Sequence, residues 1–189
     1  VSGGSDRTGY AFGLSYFGQD GILAVDNGYD RLNFRASMDQ EVTGWLDVGA
    51  KVLLSRYSRT SSDANAFFQA FVNPPVYNIY NDSNKVAYPE KFDSPQLYGF
   101  GNSYANPYAV ARYNENSEKG TNLVFSTYAQ LNFLDGKLKM KTSYNLDMQS
   151  YRTQGYVPEY FVGGSQGVSV STLTKIYGLS DSHIIDNTI

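Results

Sequence analysis

Apolar and polar residues alternate with period two through several long stretches of the chain, and the connections between those stretches are short and long in turn. In residues 9–17, Tyr10, Phe12, Leu14 and Tyr16 take one face of an extended chain and Gly9, Ala11, Gly13 and Ser15 the other. Residues 31–39 set Leu32, Phe34, Ala36 and Met38 against Arg31, Asn33, Arg35, Ser37 and Asp39, so here the second face is charged. After a short connection near Val42, Thr43 and Gly44, Leu46, Val48, Ala50, Val52 and Leu54 oppose Asp47, Gly49, Lys51 and Ser55, with Leu53 the exception. A fourth run sets Leu123, Phe125, Ala129, Leu131 and Phe133 against Asn122, Ser126, Gln130 and Asn132, with Tyr128 the bulky member of the polar side. The Asp135-Gly136 pair predicts a tight hairpin, because glycine tolerates the positive φ such turns demand. A fifth run follows, with Leu138, Met140, Thr142, Tyr144, Leu146 and Met148 facing away from Lys139, Lys141, Ser143, Asn145, Asp147 and Gln149.

These runs match or exceed the roughly 9 to 11 residues that a tilted strand needs to cross a bilayer, whereas soluble strands average about five or six. The remaining connections, near residues 18–30, 60–120 and 153–170, are long. Short turns at one end and long loops at the other is the layout of bacterial membrane barrels. Within the longest loop, Ala64, Phe67, Phe68 and Phe71 have helical spacing and Pro74 and Pro75 form a stop, which predicts a helix over 63–72 in an otherwise ordered but irregular segment. Residues 177–189 predict a weaker strand, with Ile185 and Ile189 opposite Asp186 and Thr188. The chain begins without an initiator Met and stops inside an alternating run, so an internal fragment is expected.

The reading is therefore all-β: a segment of an antiparallel transmembrane β-barrel with long extracellular loops, occupying residues 1–189 as one partial domain. Alternation alone also fits a soluble sandwich with one face in a core. Strand length, unequal loops and aromatics near strand ends favour lipid. Tyr16, Phe17, Trp45, Tyr57, Phe133 and Tyr151 are expected at the membrane interfaces. The mean hydropathy of −0.40 does not oppose this, because every second barrel residue faces a polar lumen. Five or six strands are fewer than the roughly eight of the smallest membrane barrels, which predicts an arc of a larger one.

Net charge of −3 without a run of like charges excludes an electrostatic footprint for nucleic acid. The absence of cysteine removes disulfides, thiol nucleophiles and cysteine-ligated metals together.

Beyond periodicity, particular motifs carry a resemblance that spans essentially the whole chain. A Ser2-Gly3-Gly4 turn precedes an aromatic strand and then Gln19-Asp20-Gly21. Tyr29-Asp30-Arg31 opens the next strand and Trp45-Leu46-Asp47-Val48-Gly49 the one after. Asn106-Pro107-Tyr108 and Asp186-Asn187-Thr188 are weaker signatures. Together they resemble the SusC/RagA family of TonB-linked outer-membrane proteins. The resemblance implies a barrel of about 22 strands in the bacterial outer membrane, plugged by a separate domain. It further implies import of an oligosaccharide or peptide, glycan being the expectation by family analogy, with a SusD-like lipoprotein over the mouth and energy delivered through the TonB complex. The plug and the TonB-contacting segment would lie outside these 189 residues.

Eight charged residues, Arg31, Arg35, Asp39, Asp47, Lys51, Lys139, Lys141 and Asp147, are expected to face the lumen, since Arg or Lys turned toward lipid at mid-membrane costs roughly 2 to 4 kcal/mol. The loop aromatics Phe67, Phe68, Tyr77, Tyr80, Tyr98, Phe100, Tyr104 and Tyr108 are candidates to stack on sugar rings or grip peptide side chains, or else to pack the loops upon themselves or against the lipoprotein. His183, the single histidine, has no partner for a zinc site or a Ser-His-Asp arrangement within the chain. Asp20, Asp26, Asn27 and Asp30 crowd one loop but lack the Glu and Gly positions of an EF-hand. No cofactor, metal or enzymatic reaction is predicted. Two rival readings are a non-transport outer-membrane barrel, adhesin or enzyme, and a soluble carbohydrate-binding sandwich.

Overall fold

The computed structural model describes residues 1–134 and 136–189, so Asp135 of the expected Asp-Gly turn lies outside the described residues. Seven strands form one open antiparallel sheet: β1 (Ser2–Ser5), β2 (Thr8–Asp20), β3 (Gly28–Thr43), β4 (Leu46–Ser61), β5 (Glu115–Phe133), β6 (Leu138–Val157) and β9 (Thr172–Thr188). Their order in the sheet is their order in the chain, except that the hairpin of β7 (Tyr160–Gly163) and β8 (Gln166–Val168) stands apart, inserted before β9. The sheet does not close on itself among the described residues.

All five alternating runs are strands, and most are longer than the periodicity predicts. Residues 115–120 belong to β5 and 153–157 to β6, although their polar composition reads as loop. The Ser-Gly-Gly segment expected as a turn is the strand β1, paired along β2 from Ser2–Ala11 to Ser5–Thr8. Backbone ladder bonds override weak local propensity when a neighbouring strand supplies an edge. Three connections at one end are short, and Gly136 in the β5–β6 turn has a φ of +83°, as that geometry requires of glycine.

Register fixes which residues share a face, because directly opposed residues of an antiparallel pair point the same way. One unbroken row runs Phe12, Ala36, Val52, Phe125 and Leu146, and the next runs Leu14, Phe34, Leu54, Leu123 and Met148. These rows lie uncovered: Leu14 is 73% exposed, and Phe12 and Phe34 are also exposed. No second sheet packs on them among the described residues, so the dry two-sheet core of a sandwich is not formed here.

The apolar band also drifts along the sheet. Its midpoint falls at Gly13 in β2, Arg35 in β3, Ala50 in β4, Tyr128 in β5 and Ser143 in β6. Gly13 is in register with Arg35, Leu53, Val124 and Asp147, so the midpoint moves four residues toward the short-turn end over four strand steps. A drift of about one 3.3 Å rise for each 4.8 Å strand spacing corresponds to a tilt of about 35° for a horizontal band, within the range that barrels adopt.

The buried core sits in the loops. Phe92, Ala109, Tyr113, Tyr160 and Val162 form one cluster, joining the β4–β5 loop to the β7–β8 hairpin. Helix α1 (Asn65–Val72) lies inside the predicted 63–72 span. Helix α2 (Pro107–Tyr113) is capped by Asn106, whose side chain accepts from the backbone amides of Tyr108 and Ala109, with proline at the first helical position.

Candidate functional site

All eight predicted lumen-facing charges share the face opposite the apolar rows, as the register requires. Arg31 donates from Nε to Asn33 Oδ1 and Ser55 Oγ, both at 2.8 Å, and Arg35 lies over Gly13. Asp39 accepts from the Tyr128 hydroxyl at 2.9 Å, and the Lys141 ammonium stands 4.3 Å from the centre of that ring. Asp47 accepts from Asn132 at 2.8 Å and Gln130 at 3.4 Å, while Lys51, Lys139 and Asp147 are exposed.

At the loop end of the same face, one cross-strand row reads Phe17, Arg31, Tyr57, Gly120, Tyr151 and Gly178. This overturns part of the expected interfacial belt: Phe17, Tyr57 and Tyr151 lie on the charged face, away from the apolar rows. Nearness to a strand end suggested the interface, but period-two parity decides the face, and all three share the parity of Arg31. The glycines give the rings room, since a Cβ on Gly120 or Gly178 would collide with the ring of Tyr57 or Tyr151. Tyr29 continues the aromatic surface, 6.1 Å from Phe17 and stacked at 6.2 Å on Tyr57. Glu118 accepts from the Tyr57 hydroxyl at 2.8 Å and pairs with Arg59 at 3.2 Å, fixing the upper edge of this surface.

Above the row, Gln19, Ile22, Tyr29, Arg59 and Phe67 line a largely apolar open cavity of about 460 Å³ between the β2–β3 loop and α1. Of the predicted loop aromatics, Phe67 therefore lines this cavity, and Phe68 beside it is exposed on α1. Tyr80 stacks on buried Phe92 at 4.9 Å, with Tyr108 edge-on at 6.0 Å, so these two rings pack against the loop core. Tyr77 stacks on Tyr98 at 6.1 Å, and Phe100 meets Tyr104 at 5.8 Å. The eight are thus spread over four places in the cap.

Side-chain amides hold the cap in shape. Buried Asp93 accepts from the amides of Asn78 and Ser94, from Asn81 Nδ2 and from the Tyr98 hydroxyl, the last at 2.8 Å. The Gln166 side chain grips the backbone of Asn106 across the two loops, its Oε1 accepting from the Asn106 amide at 2.8 Å and its Nε2 donating to the Asn106 carbonyl at 3.1 Å. Burial pushes the hydroxyls of Tyr77 and Tyr113 up to about 12, the negative charge of Asp93 adding to the first.

In the crowded acidic loop, Asn27 uses its amide on the carbonyls of Leu23 and Val25, and Asp30 is held by the Tyr16 hydroxyl. No cluster of metal-ligating side chains occurs among the described residues. His183 lies on the apolar-row face of β9, bonded to the Tyr144 hydroxyl at 2.8 Å and to Asp181 at 3.0 Å.

An all-β chain whose long antiparallel strands are apolar on one face and charged on the other has the make-up of a barrel wall. In fold it is similar to a chain in the structure of the RagAB peptide transporter, with a TM-score of 0.62 at 20% sequence identity. The likeness covers 96% of this chain and 20% of that one, so the chain spans about a fifth of the solved chain's length. No protein-family model matches the chain, and no curated protein matches it in sequence.

Proposed function

We propose that this chain is an arc of the barrel of a TonB-dependent outer-membrane importer of the SusC/RagA type. In this reading the apolar rows meet lipid, the charged face lines a plugged lumen, and the loop cap meets a SusD-like lipoprotein at the extracellular mouth. The carrying observation is the uncovered, tilted apolar band opposite a face that holds every one of the eight predicted lumen charges. An uncovered band of this extent needs lipid or a partner, and a tilt near 35° accords with lipid.

The cargo is a bulky nutrient that passes the cap cavity and the row of Phe17, Tyr29, Tyr57 and Tyr151. Flat rings with hydroxyl tips suit sugar rings and peptide side chains alike. The fold likeness to a chain of the RagAB peptide transporter supports peptide, while oligosaccharide rests on family analogy. Transport requires no covalent chemistry from any residue described, and none is proposed.

The chain contains no cysteine, so single cysteines give clean labels within it. In the full-length protein embedded in lipid, labels at Leu123, Phe125, Leu138 and Met140 should be quenched by a lipid-borne quencher. Labels at Asn122, Lys139 and Lys141 should respond only to a water-soluble one. The reverse pattern, or no lipid quenching, removes the barrel reading. Uptake of labelled peptides and oligosaccharides by cells with and without TonB then tests transport and assigns the cargo class.

A further inference from the structure

We infer that Arg56, Lys119 and Arg152 form a docking site for the phosphate groups of an anionic lipid in the outer leaflet, an inference that rests on the membrane reading above. The three cations lie on the outward, lipid-side face and not on the charged lumen face. Arg56 follows Leu54 in the apolar column of β4, and Lys119 is directly opposite Arg152 on the adjoining strands. All three side chains are exposed, and they line one shallow groove with Thr121, Ser150 and Tyr177.

Their heights follow from the tilt of the band. Arg56 stands six residues above the midpoint of its strand, and Lys119 and Arg152 nine above theirs. At 3.3 Å per residue and 35° of tilt these are heights of about 16 Å and about 24 Å, against about 15 Å for half the hydrocarbon core and about 20 to 22 Å for the headgroup boundary. The backbone of Arg56 therefore lies within the headgroup layer and those of Lys119 and Arg152 just above it, from where their long side chains reach down into it. Directly below them, Leu123, Met148 and Leu179 offer apolar surface for an acyl chain.

Nothing among the described residues neutralises them: no ion pair or side-chain hydrogen bond involves any of the three. The flanking carboxylates on this face are otherwise engaged, Asp30 with the Tyr16 hydroxyl and Asp181 with His183. Three unpaired cations beside an apolar surface, within reach of the headgroups, favour a lipid whose phosphates carry net negative charge over a zwitterionic one, whose own ammonium offsets its single phosphate.

The test uses the full-length protein in phosphatidylcholine nanodiscs doped with a bisphosphorylated glycolipid (lipid A) or its dephosphorylated form, read by native mass spectrometry. The wild type should retain the phosphorylated form with a preference of about tenfold or more, and R56Q/K119Q/R152Q should lose that preference. The opposite-face variant K139Q/K141Q should keep it. A triple variant that retains the preference, or a wild type that shows none, overturns the site. Displacement of the lipid by millimolar inorganic phosphate overturns the lipid assignment in favour of a free-anion site. Failure of the wild type to insert in the disc at all overturns the membrane reading itself, which distinguishes the two failures.

Discussion

The ring of Tyr128 lies against Gly49 on the neighbouring strand, so close that any side chain on the glycine would collide with it, and from there its hydroxyl reaches Asp39 one strand further, at 2.9 Å. A glycine here weakens the strand locally, but the cross-strand ring covers the exposed backbone and ties three strands together on the charged face. Gly49→Ala should therefore displace Tyr128 and cost about 1 to 3 kcal/mol, as overpacking does. Gly9→Ala, on the same face with nothing within 4 Å of the added carbon, should cost less than about 0.5 kcal/mol. Urea titration of the full-length protein in lipid vesicles measures both, and equal costs would refute the pairing.

Tyr77 and Tyr98 stack on one another but differ at their hydroxyls. That of Tyr77 is buried with no partner among the described residues, and that of Tyr98 donates to the buried carboxylate of Asp93. Removing an unpartnered buried hydroxyl relieves a desolvation cost, whereas removing a charge-assisted donor creates one. Tyr77→Phe should leave hydrogen-exchange protection of the β4–β5 loop unchanged or raised, and Tyr98→Phe should lower it.

Much of this architecture is legible in the sequence because period-two alternation encodes a strand with two unlike environments. All five long runs and the shared face of the eight charges follow from it, while the helix after Asp63 follows from the separate helical spacing of Ala64, Phe67, Phe68 and Phe71. The loop cap is not legible, because its order rests on single amide side chains that reach across 60 or more residues, such as Gln166 to the backbone of Asn106 and Asn84 to the carbonyl of Val162. The face of the aromatic row is legible only from parity and not from nearness to a strand end, because Phe17, Tyr57 and Tyr151 follow the parity of the charged residues. A signal for α2 was present in Asn106-Pro107, which combines a capping side chain with a preset first helical residue.

The Asn106 side chain bears two tasks: its Oδ1 caps α2 and its Nδ2 donates to the carbonyls of Ile79 and Asp93. Asn106→Ala leaves several buried partners unsatisfied, each costing about 1 to 3 kcal/mol. The expected result is a cap that becomes protease-sensitive while the strands keep their exchange protection. Loss of strand protection together with the cap would show that the two are not separable.

The buried tyrosines set an alkaline limit on the cap. Their folded values near 12 lie above the ordinary value of 10, so their contribution is fully present below pH 10 and is lost as pH rises through about 12. Tyrosinate absorbance in the full-length protein should show a late-titrating class that coincides with cap opening. Tyr113→Phe should remove one member of that class, and a titration in which every tyrosine has its midpoint near the ordinary value of 10 would contradict the burial.

The orientation of the sheet is tested most directly at one row. Phe125 lies between Val52 and Leu146 on the apolar face near the middle of the band, and Asn145 lies beside Ser126 on the other face, bonded to it at 2.7 Å. If the apolar face meets lipid, Phe125→Arg carries a charge into the hydrocarbon and should cost about 2 to 4 kcal/mol of folding free energy in vesicles. Asn145→Arg enters a polar, wetted surface already furnished with Arg35, Lys51 and Lys141, and should cost little more than the lost Ser126 bond, about 1 kcal/mol. The penalty is specific to a bilayer if it depends on depth: Ala50→Arg, on the apolar face at the midpoint of β4, should cost more than Leu54→Arg, four residues nearer the headgroups on the same strand. A uniform penalty at Ala50 and Leu54 would mean that the band is covered by protein and not by lipid.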